Sequence, residues 1–201
     1  MSVSKSVKAR VKRMPRGKPF SSSVLLGLGS RAAVDQALSR QVKAGEVKRI
    51  ARGIYIRPKS SRFIAEVMPE VGEVMNVIAK DNNEIIQVGG AEAANRFGLS
   101  TQMPTKHVYY TNGAPREINV GNLRVQLKNT RSPRKLVYAG EKPGMALSAL
   151  WYLGKGNVNE ATIERIRAGM NEKEFEKFKS ASMPAWMADA VRKYSSTQPN
   201  G

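Results

Sequence analysis

The chain has no cysteine, and His107 is its only histidine in 201 residues. The first absence excludes disulfides, cysteine-ligated zinc and thiol catalysis together. The second leaves no imidazole partner with which His107 could share a metal. No apolar run approaches the ~20 residues of a membrane-spanning helix, and the opening residues lack the apolar core of a secretory signal. A soluble, cytoplasmic protein with no cofactor and no metal is therefore expected. Acids are scarce where the chain begins. Residues 1–62 hold sixteen of the 34 Lys and Arg against only Asp35 and Glu46, so +14 of the formal +18 falls there and +4 on the remainder. Such a balance asks for a polyanion, either nucleic acid or an anionic surface, because each phosphate that a cation neutralises releases a counterion.

With 41% hydrophobic and 25% charged residues the chain has ordinary globular composition. Its length and charge asymmetry predict two domains, at 1–58 and 65–195, joined by a linker at 59–64 and followed by a disordered tail at 196–201. In the first, Val3, Val7, Val11 and Met14 recur at helical spacing, while Lys5, Lys8, Arg10, Lys12 and Arg13 occupy the other faces. The same composition would suit a transit peptide, but the apolar stripe gives this segment a place in a fold. Pro15, Gly17 and Pro19 break the helix. Ser22 or Ser23 then caps a short helix over Val24–Leu28, which Gly27 and Gly29 end. Ser30 caps a second helix that runs to about Lys43 and stops at Gly45. After Gly45, Val47 and Ile50 alternate with basic residues, as do Ile54 and Ile56 beyond Ala51-Arg52-Gly53, which predicts a hairpin.

Helix, turn, basic helix and hairpin, in that order, predict a winged helix-turn-helix, and the charge directs it to duplex DNA. Val34, Ala37, Leu38, Gln41 and Val42 share one face of the second helix. The opposite face carries Arg31, Asp35, Gln36, Ser39, Arg40 and Lys43, long donors and short polar groups suited to base edges and phosphates. Arg31 and Gln36, near the helix start with Ser30, are assigned to base reading together with Asp35 and Ser39; Arg40 and Lys43 are assigned to phosphates. Arg49 and Arg52 are placed at the hairpin tip, as arms for the backbone or the minor groove. Arg16 and Lys18, from the break before the short helix, complete the expected DNA-facing set. A basic helix face is more often simply solvated, but a solvated face needs charge of either sign, and residues 1–62 have almost none of the second.

Beyond residue 62, Phe63 to Ile78 shows helical spacing interrupted by Pro69, and the Ala-rich stretch between Gly90 and Gly98 predicts a short helix. HVYYT, REINV and LRVQLKN alternate between turn signals at Asn112-Gly113 and Gly121-Asn122, which predicts a small antiparallel sheet. Residues 143–193 return to helical pattern. The fold class expected is α+β: an N-terminal winged helix-turn-helix followed by a mixed α/β C-terminal domain with that sheet. Lys128, Arg131, Arg134 and Lys135 form a possible second phosphate patch, with a solvated loop as the equal alternative.

No catalytic motif occurs. G-x-S-x-G, H-E-x-x-H and P-loop patterns are absent, and the glycines around Gly90 do not form a dinucleotide fingerprint. Gly29-Ser30 lacks the paired carboxylates of a nucleotidyltransferase, and Glu70, Glu73, Asp81 and Glu84 are too scattered for a metal site. His107 reads as a surface or partly packed histidine. No enzyme is expected.

The run SRAAVDQALSRQVKAGEVKRIARGIYIRP, paired with GAEAANRFGLSTQMPTKHVYYTNG, resembles the AbiEi family of antitoxins from type IV, abortive-infection toxin-antitoxin systems. The resemblance implies a transcriptional autorepressor. Its winged helix would bind inverted repeats in its own promoter as a dimer or cooperative pair, with Arg31, Gln36, Arg40, Arg49 and Arg52 on DNA. Its C-terminal domain would oppose a nucleotidyltransferase toxin without a stable complex. The alternative is a stand-alone regulator or plasmid-maintenance factor that binds RNA or DNA and has no toxin partner.

Overall fold

The computed structural model describes residues 2–59, 67–102 and 104–197. The chain divides into two units, Met1–Glu84 with Ile118–Leu123, and Ile85–Glu117 with Arg124–Gly201. Both mix helices with a small sheet, as an α+β chain should.

In the first unit, α1 (Val3–Lys12) starts at Ser2, whose hydroxyl oxygen accepts from the Lys5 N–H at 3.4 Å. Val7 and Val11 are buried on its expected stripe, with Val3 and Met14 packed beside them. The last turn of α1 has carbonyls without helical partners. Arg57 supplies them: its Nη1 donates to the Lys12 and Met14 carbonyls at 2.7 and 2.6 Å. β1 (Pro19–Ser21) leads into a 3₁₀ helix, Ser22–Leu28, capped by Ser21, one residue before the expected serines. α2 (Arg31–Lys43) follows, then β2 (Lys48–Ala51) and β3 (Ile54–Ile56). β3 lies centrally in an antiparallel sheet of order β1-β3-β2. Val7, Val11, Phe20, Leu25, Val34, Leu38, Val47 and Tyr55 form its shared core.

α3 (Val71–Asn82) begins after Pro69, as the interrupted pattern predicts; residues 63–66 of that pattern lie outside the described residues, as do 60–64 of the expected linker. The division of the chain differs from the one expected at 58 and 65. Val71, Val74, Met75 and Ile78 make a buried stripe on α3 that packs against β1 and β3, so this helix belongs to the first unit. Composition marked a linker there because it registers polarity. It does not register where an apolar stripe finds its partner.

The second unit contains β4 (Ile86–Val88), α4 (Gly90–Arg96), β5 (His107–Thr111), the first two residues of β6 (Arg116–Val120) and all of β7 (Leu123–Asn129) but Leu123. The helices α5 (Lys142–Leu153), α6 (Glu160–Ala168), α7 (Glu172–Lys179) and α8 (Ala185–Thr197) follow. The sheet order is β4-β5-β7-β6, and it corrects the expected antiparallel sheet: β5 runs parallel to β7 and antiparallel to β4. The physical reason lies at Asn112-Gly113, which does not close a two-residue hairpin. The Asn112 side chain accepts from the Ile85 N–H at 2.8 Å, and Asn129 Nδ2 donates to the Gly113 carbonyl at 2.8 Å. Those bonds carry the chain past β7, and β6 returns on its far side. The short helix at Gly90 appears as expected. α8 runs through Thr197, so 196–197 are helical rather than tail, and 198–201 lie outside the described residues.

Candidate nucleic-acid interface

α2 is cut cleanly into two faces. Ser30 caps it, its Oγ accepting from the Ala33 N–H at 3.4 Å, and Gly45 (φ +68°) turns the chain out of it. Ser30 is therefore engaged as a cap within the protein. Val34, Ala37, Leu38 and Gln41 are buried, Val42, expected beside them, is exposed at the edge of that face, and Arg31, Asp35, Gln36, Ser39, Arg40 and Lys43 are all exposed. Arg31 Nε lies 3.9 Å from Asp35 Oδ2, with the two side chains 71% and 51% exposed. So loose and wet a pair contributes little to stability and leaves the guanidinium free to be recruited. Arg40 and Lys43 have no carboxylate partner among the described residues.

The hairpin places its two arginines differently. Gly53 takes φ +75°, the left-handed conformation that its tight turn needs, and Arg52 beside it is exposed at the tip. Arg49, expected at the tip as well, is not there. A register shift between Arg49 and Ala51 turns its side chain along its own strand, where Nε donates to the Ala51 carbonyl at 3.3 Å. Arg16 and Lys18 precede β1, which pairs with β3 on the side away from β2. Arg16 is exposed, and Lys18 is ion-paired with Glu73 of α3. The structure thus gathers the α2 set on one surface, keeps Arg52 exposed, and gives Lys18 and Arg49 partners inside the protein. Arg57 was absent from the expected set, and it is the arginine that ties α1 down; its signal in the sequence is only its adjacency to Pro58.

The charge also distributes itself differently. α3 brings Glu70, Glu73, Asp81 and Glu84 into the first unit, where Glu73 meets Lys18 and the Asp81 carboxylate accepts from the Ser23 hydroxyl. Within the bounds of the two units the sequence holds seventeen Lys and Arg against seven acids, +10, and seventeen against nine, +8. The asymmetry of +14 to +4 belongs to the linear sequence. What survives in the fold is local: on α2 and the hairpin tip, Asp35 is the only acid among six exposed charged or amide side chains.

Tyr55 connects the helix to the hairpin. Its ring stacks on Phe20 with centroids 6.0 Å apart, and burial pushes its phenol above the ordinary 10.0, with Arg49 pulling the other way and Asp35 adding to the rise. A raised phenol in the folded state gives stability that is fully present below pH 10.0. It is lost as the pH rises through the folded-state value, because the unfolded chain releases its proton first. We therefore expect Tyr55→Phe to remove part of the alkaline loss of stability. Urea midpoints on either side of pH 10.0 test this, and equal alkaline losses in both proteins would refute it.

Of the second patch, Lys128 lies on β7, Arg131 in the following loop, and Arg134 and Lys135 on a 3₁₀ helix, Pro133–Leu136. Lys128, Arg131 and Arg134 are exposed, and Lys135 is half-buried against aromatic rings. His107 is partly packed: its Nδ1 lies 3.1 Å from Glu92 Oε2. Glu92 itself is buried on α4 and also accepts from Arg96 at 2.6 Å and from the Tyr109 hydroxyl at 3.3 Å. The Arg96 and Tyr109 donors, with the His107 ring beside them, make its burial tolerable and tie α4 to β5. Nothing in the sequence marks Glu92, because an acid in an alanine-rich helix carries no spacing signal.

Among the described residues no helix is long and apolar enough to cross a membrane, and no group of three acids or histidines is placed to hold a metal ion. The model of one protein family, described as a family of unknown function (DUF6088), matches residues 6–178. No curated protein matches the chain.

Proposed function

The chain belongs to DUF6088, a family of unknown function, and we propose that its first unit is a winged helix-turn-helix that binds duplex DNA and regulates transcription by occupancy. In this reading α2 is the recognition helix and the β2–β3 hairpin the wing. One observation carries it: the inner face of α2 is buried, and the outer face presents Arg31, Gln36, Arg40 and Lys43 to solvent together. A helix about 10–12 Å across fits the major groove of B-DNA. Arg31 and Gln36 near its start meet base edges, and Arg40 and Lys43 one to three turns on meet phosphates. Asp35 accepts from a cytosine amine, the one base contact that a carboxylate makes well. Arg52 at the wing tip follows the backbone. We do not extend the set to Lys18, which is ion-paired with Glu73, to Arg49, whose Nε is bonded to the Ala51 carbonyl, or to Ser30, which caps α2.

From the resemblance to AbiEi antitoxins we further propose that the site is an inverted repeat in the chain's own promoter, filled by two copies. The same resemblance motivates a second unit that opposes a nucleotidyltransferase toxin in the cytoplasm. A gel shift of the full chain on duplex DNA from its own promoter, competed by scrambled duplex and by structured RNA, tests the DNA reading. Preference for structured RNA would favour the RNA-binding regulator. Co-expression with the neighbouring gene tests the antitoxin reading: that gene should arrest growth alone and not beside this chain.

Lys43→Ala should weaken all duplexes alike and reduce the slope of log affinity against log salt by about one unit. A slope that does not change would remove Lys43 from the phosphate set.

A further inference from the structure

The second unit gathers aromatic rings and unneutralised cations around one small cavity. β5 and β7 are parallel with Tyr110 opposite Lys128, so the two side chains are neighbours on one face of the sheet. From the 3₁₀ helix that follows β7, Lys135 holds its ammonium 5.3 Å from the centre of the Tyr110 ring and 5.6 Å from that of Trp151. Tyr152, next along α5, is 49% exposed. α4 approaches α5 here through Gly90, where a Cβ would lie 2.4 Å from the Tyr152 Cβ and 2.6 Å from the Ser148 carbonyl oxygen. Gly90, Tyr110, Lys135, Ser148, Trp151 and Tyr152 line a cavity of about 110 Å³.

Three features decide what such a site takes. The cavity is far below the ~300–1,000 Å³ that encloses a drug-sized ligand, so it admits one flat ring and leaves the rest of the ligand outside. Three of its six lining residues, Tyr110, Trp151 and Tyr152, are aromatic, and aromatic rings bind a planar ring by stacking. Its charge is positive: Lys135 lines it and is held there by the rings, Lys128 lies opposite Tyr110 on β7, Arg131 and Arg134 lie on the chain between those two lysines, and none of the four has a carboxylate partner among the described residues. A planar ring attached to negative charge is a nucleobase with its phosphate. Four cations, spread from β7 to the 3₁₀ helix, exceed what one phosphate needs and match a strand that carries a phosphate at every residue.

The geometry points to a binding site for single-stranded nucleic acid in the second unit, with one base stacked at Trp151 and Tyr152 and the flanking phosphates on Lys128, Lys135 and Arg134. It is separate from the duplex site proposed for α2. Base stacking on aromatic side chains is sequence-tolerant, so the site holds a strand without reading it.

The chain has two tryptophans, and Trp186→Phe leaves Trp151 as the sole reporter. In full-length protein carrying that substitution, single-stranded oligo(dA) should quench Trp151 fluorescence saturably. Tyr152→Ala should weaken this binding about 5- to 150-fold, and Tyr152→Phe should restore it, since the ring and not the hydroxyl stacks. Lys128→Gln should shallow the salt dependence, while Arg31→Ala on α2 should leave the quench untouched, which separates failure here from failure of the duplex reading. Absence of a saturable quench overturns the proposal. So does a quench by AMP as strong as that by the strand, which would make this a nucleotide site. So does binding that Tyr152→Ala leaves intact and inorganic phosphate abolishes, which would be charge alone.

Discussion

Truncating Leu38 to alanine should cost the first unit about 2–5 kcal/mol of stability, the range for removing a fully buried leucine whose surroundings cannot close the gap. Leu38 is 0% exposed and sits in the core with Val7, Val11, Leu25 and Val47, on the face of α2 opposite Gln36 and Ser39. The loss appears as a lower urea midpoint at an unchanged slope. It carries a functional consequence, since the outer face of α2 is aimed only by the packing of its inner face. A variant held folded at low temperature should still bind DNA and should lose binding along with its unfolding transition. A cost below about 1 kcal/mol would mean that α2 is not anchored as described.

Arg31→Ala should behave in the opposite way. The side chain is 71% exposed and its pairing with Asp35 is long, so stability should change by no more than about 0.5 kcal/mol. Affinity for the cognate duplex should fall by about 1–3 kcal/mol, and discrimination at one base pair of each half-site should relax, because a bidentate arginine contact to guanine is what would be removed. Measured affinities for a set of single-base variants of the site separate this from a phosphate contact, which would weaken every sequence equally. Together the two substitutions divide α2 into the face that holds it and the face that works.

Much of the first unit was legible in the sequence because its signals are local. Ser30 and Gly45 bracket α2 within one turn of each end, the apolar spacing names its buried face, and Gly53 marks the hairpin turn. What was hidden depends on partners distant in the chain. Alternation identified HVYYT and LRVQLKN as strands but could not say that they lie side by side and parallel. Strand spacing fixes which side chains share a face and leaves the neighbour open. The same limit misassigned α3, whose apolar stripe is plain while its packing on β1 and β3 is not. For the candidate site, exposure on α2 followed from periodicity. The engagement of Arg49, Lys18 and Arg57 did not, because a long side chain reaches a partner that no spacing rule encodes. The sequence shows only the charge of Lys135. Its place between Tyr110 and Trp151 required the fold.

The outer face of α2 should lie against the bases of duplex DNA, and the absence of cysteine makes this directly measurable. Ser39→Cys introduces a lone thiol at the middle of that face, and a DNA-cleaving iron chelate attached there reports what lies beside it. Cuts should be confined to a short stretch within each half-site of the chain's own promoter, with no cutting above background from the same chelate on Lys173→Cys of α7. Cutting from Ser39→Cys no stronger or more localised than from the α7 position would contradict it.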